Sequence, residues 1–106
     1  MAWVYLVVAG ILEVVWASAM KESAGFTKLG PTVLTFVATI ASFWLLALAM
    51  RALPLGTAYA IWTGIGAVGA FAVGIMLMGE AASLGRIASV ALIVVGMVGL
   101  KLTSAH

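Results

Sequence analysis

Along the chain, the polar positions cluster and the apolar positions run on. No charged residue interrupts Gly30 to Met50 or Ala52 to Gly79. Lys21, Glu22 and Lys28 fall close together, Arg51 stands near Pro54, and Glu80 and Arg86 bracket a short break. Charges are rare in hydrocarbon, so these positions mark turns between membrane spans. The pattern predicts helices over about 2–20, 32–50, 55–78 and 84–102, each near the roughly 20 residues that a bilayer requires. Pro31 fits a first helical turn, where its missing N–H leaves nothing unpaired. Gly25 and Gly30 fit the turn before it. The fourth span is the least regular. Its uncharged run, Ile87 to Leu100, is short, so Arg86 and Lys101 must snorkel, or the helix must tilt or be partly shielded.

Composition narrows the class. Apolar residues make up 66% of the 106, against five basic and three acidic side chains. A soluble domain is about 45–50% apolar and about 25% charged, and a disordered chain is far less hydrophobic than this one. The expectation is therefore an all-α membrane protein with one domain over residues 1–106. The chain has no cysteine, which removes disulfides, thiolate nucleophiles and zinc–thiolate sites. His106 is the sole histidine, so no histidine metal cluster can form. Neither a metal nor another cofactor is expected, and no nucleophile–base pair points to an enzyme. Five scattered cations form no nucleic-acid patch. Ala17-Ser18-Ala19 has the small-residue pattern of a leader cleavage site. A leader is not expected, because no basic side chain precedes the apolar run and Glu13 interrupts it.

With four spans, the loops after the first and third lie on one side and carry Lys21, Lys28 and Arg86. The other side carries Arg51 and Lys101. Three against two is too small a bias for the positive-inside rule to fix one orientation. The chain is thus expected to insert either way round, the alternative being one orientation set by unequal weighting of these few charges.

Glu13 stands out. It lies near the middle of the first span, followed directly by Val14, Val15 and Trp16. An acid at a helix centre costs about 2.5–3.5 kcal/mol on insertion scales. Burial disfavours a bare carboxylate, so such a group holds either a proton or a cation. Those two states together describe a proton-coupled exchanger. The alternative is a structural carboxyl bonded to a neighbouring helix. Lys101 is the only cation in or near a span, at the far end of the fourth, too distant in depth for a ready pair. The cation for Glu13 is therefore expected to be a substrate.

Helical spacing supplies the surroundings. Gly10, Glu13, Ala17 and Met20 share one mostly small face, with Trp16 projecting beside it. Thr35, Thr39 and Ser42 form a hydroxyl stripe in the second span, and Tyr59 and Trp62 lie one turn apart in the third. Carboxylate, hydroxyl and polar-tipped aromatics make a coherent cation site, since aromatic faces attract cations by about 0.5–2 kcal/mol. Membrane hydroxyls also bond their own i−4 carbonyls, an equal reading for Thr35 and Thr39. Trp3 and Tyr5 fit an interfacial belt. Gly66, Ala70 and Gly74 form a small-residue stripe for close helix approach, while Gly64-Ile65-Gly66 is also a candidate hinge. Ser89 and Gly96 share a face of the fourth span that suits a contact between subunits. One such subunit can scarcely enclose a substrate path, so a homodimer with two copies of Glu13 is the economical solution.

These residues resemble the small multidrug resistance family of bacterial inner-membrane exporters over nearly the whole length. The resemblance rests on Gly10-Ile-Leu-Glu-Val-Val-Trp-Ala, Lys21 through Thr27, Ala41-Ser-Phe-Trp-Leu-Leu, the run Leu53 to Gly66, and Val98-Gly-Leu-Lys-Leu. Trp16, Trp62-Thr63-Gly64 and Lys101 resemble the guanidinium-exporting subtype, whereas Ser42-Phe43-Trp44 also occurs in the multidrug branch. The resemblance implies an antiparallel, dual-topology homodimer whose two Glu13 side chains face one site. It implies that protons and cation compete for them, that Trp16, Ser42, Tyr59 and Trp62 surround them, and that Gly10 keeps the lining small. It further implies a hinge at Gly64 and Gly66 and a dimer contact at Ser89 and Gly96. Guanidinium suits a carboxylate independently, being planar with donors in a fork. The expected function is guanidinium/proton antiport. The alternatives are a multidrug exporter of quaternary ammonium cations, a non-transporting membrane assembly or chaperone subunit, and a passive cation pore.

Overall fold

In the computed structural model, residues 2–103 are described; His106 and its neighbours lie outside them. The four helices are α1 (Ala2–Glu22), α2 (Leu29–Ala49), α3 (Leu55–Leu77) and α4 (Leu84–Thr103). All four are long and apolar enough to cross a membrane. α4 runs for 20 residues, so the flanking charges Arg86 and Lys101 are carried inside its terminal turns.

The turns explain the boundaries. α2 begins three residues earlier than its polar flank predicted, because Gly30 is helical rather than part of the turn; Pro31 stays in the first turn. Ser23 closes the α1–α2 turn. Its buried hydroxyl donates to the Met20 carbonyl at 2.6 Å and accepts the Phe26 N–H at 3.0 Å. Its carbonyl accepts the Thr27 and Lys28 N–H groups. Ala24, Gly25 and Phe26 are all left-handed, with φ of 49°, 75° and 69°. Phe26 is held there by stacking on Phe36, 5.7 Å between ring centres. At the end of α3, Gly79 turns left-handed (φ 71°) and the Gly74 carbonyl accepts both the Met78 and the Glu80 N–H. Arg86 then pairs with Glu80 at 3.4 Å and stands over the Phe71 ring at 5.0 Å.

α1 is the central element and packs along both α2 and α3, while the backbone of α4 approaches that of α3 alone. The result is a slab of 43 × 34 × 16 Å. The buried core is Leu6, Ala9, Leu46, Ala49, Leu53, Ala58, Ile61 and Trp62, gathered toward the α2–α3 turn. Many large apolar side chains face outward, among them Ile40, Trp44 and Leu92. Lipid is their natural solvent.

Lipid tails are as apolar as the helices, so the helices associate through close contact rather than exclusion of water. Glycine permits that contact along the α1–α3 seam. A Cβ on Gly10 would lie 2.6 Å from Ile65 Cγ2, one on Gly66 would strike the Glu13 carboxyl, and one on Gly69 would strike Val14. Of the stripe Gly66, Ala70 and Gly74, Gly66 thus packs on α1, whereas a Cβ on Gly74 would lie 2.6 Å from the Glu80 carboxyl that follows α3. Gly10→Ala must push against a β-branched side chain with one stiff rotamer, and should lower stability by about 1–3 kcal/mol in a detergent melt. Gly56→Ala, where the added methyl meets open space, should leave the melt nearly unchanged.

Candidate functional site

Glu13 projects from the middle of α1 toward α3. Its carboxyl lies against Gly66, in the space that a side chain there would fill. Its Oε1 is buried and has no hydrogen-bond partner within the subunit. One turn on, the indole Nε1 of Trp16 is buried and equally without an acceptor. A buried polar group left unpaired costs about 1–3 kcal/mol. An orphaned acceptor and an orphaned donor on one face of one helix are therefore unusual for purely structural residues.

The opposite situation holds one turn toward the N-terminus. Ser42 of α2, fully buried, donates its hydroxyl proton to the Ala9 carbonyl of α1 at 2.7 Å. The same oxygen accepts the Trp62 Nε1–H of α3 at 3.0 Å. Three helices are thereby fastened at one point, a turn from Glu13. Aromatic contacts extend the wall. Trp16 meets Phe43 edge-on at 6.5 Å, Phe43 meets Trp62 edge-on at 5.5 Å, and Trp62 leans on Tyr59 at 5.6 Å. Tyr59, just over half exposed, forms the rim.

The fold therefore brings Gly10, Glu13, Trp16, Ser42, Tyr59 and Trp62 to one region. Thr35 and Thr39 turn out to bond carbonyls of their own helix, Pro31 at 2.8 Å and Thr35 at 2.6 Å. Only Ser42 of that stripe reaches across. Phe43 went unassigned, although it bridges Trp16 to Trp62. Its only signal was its place next to Ser42, and it stays half exposed at the edge of that stripe. α3 passes unbroken through Gly64-Ile65-Gly66. Gly66 admits Glu13, while Gly64 faces Met97 and Ile93 of α4.

Lys101 does not approach Glu13. Its ammonium stands 5.4 Å from the centre of the Trp3 ring. Among the described residues, no cation lies within ion-pair distance of Glu13. A groove of about 550 Å³ runs between Val14, Ser18, Leu34 and Leu77, on another side of α1, and does not include Glu13. Chemically, the Glu13 region offers one carboxyl for a proton or a cation, with the Trp16 indole one turn along the same helix. Ser89 and Gly96 are exposed on α4. The Ser89 hydroxyl returns to the Gly85 carbonyl at 2.8 Å, and a side chain on Gly96 would meet open space.

The chain is 60% identical over 104 residues to a guanidinium exporter of Yersinia pseudotuberculosis, covering 98% of this chain and all of that one. It is 59% identical to the guanidinium exporter of Escherichia coli K12, over 98% of this chain and 99% of that one. With the guanidinium exporter of Citrobacter freundii, identity is 56% over the same shares. The sequence profile described as Small Multidrug Resistance protein matches residues 1–93. With four membrane-length helices and a match that spans most of its length, the chain belongs to the small multidrug resistance family of membrane transport proteins.

Proposed function

We propose that the protein exports guanidinium and small guanidinyl cations in exchange for protons, with both competing for Glu13. The observation that carries this reading is the buried Glu13 oxygen with no donor and no cation from its own chain. A proton satisfies that oxygen in one state. A planar cation with forked N–H donors satisfies it in the other, and guanidinium matches a carboxylate bidentately. The relatives named guanidinium exporters support this choice of substrate. Trp62, fastened through Ser42 to α1, gives the cation a fixed aromatic wall. Trp16 narrows the space and offers an N–H.

The working unit in this reading is an antiparallel homodimer of dual-topology subunits in the bacterial inner membrane. A slab 16 Å thick encloses nothing by itself, whereas two slabs face to face enclose a chamber lined by both copies of Glu13. The near-balanced loop charges permit either orientation. Ser89, exposed and bonded only to its own helix, and Gly96, beside open space, supply a dimer contact on α4. Gly64 and Gly66 give α3 the freedom to bend as the chamber opens alternately to each side. Glycine weakens a helix interior by about 1 kcal/mol, and at both positions larger residues would collide with a neighbour.

Glu13→Gln keeps the shape and removes the titrating group. Proteoliposomes containing this variant should show no proton-driven guanidinium uptake and no proton release on guanidinium addition. Retained coupled flux would overturn the mechanism. In the wild type, guanidinium binding should weaken as pH falls, by up to about tenfold per pH unit once Glu13 is mostly protonated, as followed by calorimetric titration. Equal transport of tetraalkylammonium and guanidinium would instead favour a multidrug exporter. Ser42→Ala removes the acceptor of Trp62 Nε1–H and should lower stability by about 1–3 kcal/mol in thermal melts. Guanidinium affinity should fall with it, since the aromatic wall loses its anchor.

A further inference from the structure

The two ends of the helical bundle differ in charge. One end holds Lys21, Glu22, Lys28, Glu80 and Arg86, with acids among the bases. The other end holds Arg51 and Lys101 and no acid among its described residues. Lys101, in the last turn of α4, has no carboxylate within ion-pair distance among the described residues. The face of Trp3 holds its ammonium, 5.4 Å from the ring centre. These two side chains stand at the mouth of an apolar groove of about 450 Å³ between α1, α3 and α4.

Below the mouth, the walls are Val7, Ile61, Ile65 and Met97. Trp3 to Val7 and Lys101 to Met97 are each one helical turn, so the slot descends about 6 Å into the hydrocarbon. At about 3.6 residues per turn, Lys101 lies roughly 120–140° around α4 from Ser89 and Gly96. A dimer closed through Ser89 and Gly96 therefore leaves the slot open to lipid.

We infer that this groove binds one anionic phospholipid per subunit. The Lys101 ammonium takes the phosphate as a charge-assisted hydrogen-bond partner, and the upper part of one acyl chain lies along Ile61, Ile65 and Met97. Basic pockets between membrane helices favour such headgroups. A zwitterionic lipid fits the same slot less well, because its own cationic group must then sit beside Lys101. Nothing in this inference depends on the transported substrate.

The test uses the full-length protein, purified in neutral detergent and stripped of lipid. It is titrated with dioleoylphosphatidylglycerol or dioleoylphosphatidylcholine, with native mass spectrometry and thermal unfolding as readouts. The wild type should retain one phosphatidylglycerol per subunit and bind it about fivefold more tightly than phosphatidylcholine. Lys101→Gln should erase that preference, Lys101→Arg should keep it, and Arg51→Gln should leave it intact. Equal affinity of the wild type for both lipids overturns the inference without recourse to any variant. So does loss of the preference in Arg51→Gln but not in Lys101→Gln. Protection by inorganic phosphate equal to that by phosphatidylglycerol also overturns it, since the groove would then contribute nothing.

Discussion

The missing side chain at Gly66 decides where everything else can stand. In lipid, no exclusion of water drives one apolar helix onto another, so contact itself must hold them. Gly66 and Gly69 let α3 close on Glu13 and Val14, and Gly10 lets α1 close on Ile65. The seam interlocks in both directions, each helix giving a glycine to the other's branched or charged side chain. Were α3 one side chain further out, the carboxyl would face lipid or open space, and the Ser42 link between Ala9 and Trp62 could not span the gap.

Within this frame, the polar groups fall into two kinds. Ser23, Ser42, Thr35 and Thr39 are buried or partly buried, and every one of their hydroxyls is bonded. They hold a turn, a helix or a junction in place. Glu13 Oε1 and Trp16 Nε1 are buried and bonded to nothing in their own subunit. A fold that satisfies these hydroxyls, and leaves Glu13 and Trp16 open on one face of α1, concentrates its unspent buried hydrogen-bonding capacity there. The aromatic chain from Trp16 through Phe43 to Trp62 gives that face a rigid lining whose shape does not depend on charge.

Much of the architecture was legible because hydrocarbon is so intolerant of charge. Lys21, Glu22, Arg51, Glu80 and Arg86 mark the turns by the positions they occupy, and Glu13 declares itself by violating the rule. Gly30 was harder, because a glycine so close to Lys28 fits a turn, while the helix had already started a residue earlier at Leu29. The direction each helix faces was less legible. Apolar residues surround all four helices, so spacing alone could not separate a core position from a lipid-facing one. Phe43 and Trp44 are neighbours of similar character, yet only Phe43 contributes to the aromatic wall. The seating of Glu13 on Gly66 joins distant parts of the chain and leaves no local trace. The split of the hydroxyl stripe, with Thr35 and Thr39 turned to their own helix and Ser42 reaching α1, depends on where α1 happens to pass.

The fully buried core draws on α1, α2 and the first half of α3, and no residue of α4 is fully buried. During synthesis, N-terminal segments emerge and fold first. The first three spans can therefore settle against one another while α4 is still within the ribosome. The last span then arrives at a body already formed and docks sideways on α3. The order of synthesis thus matches the order of burial, with the early part building the packed body and the final part added along one edge.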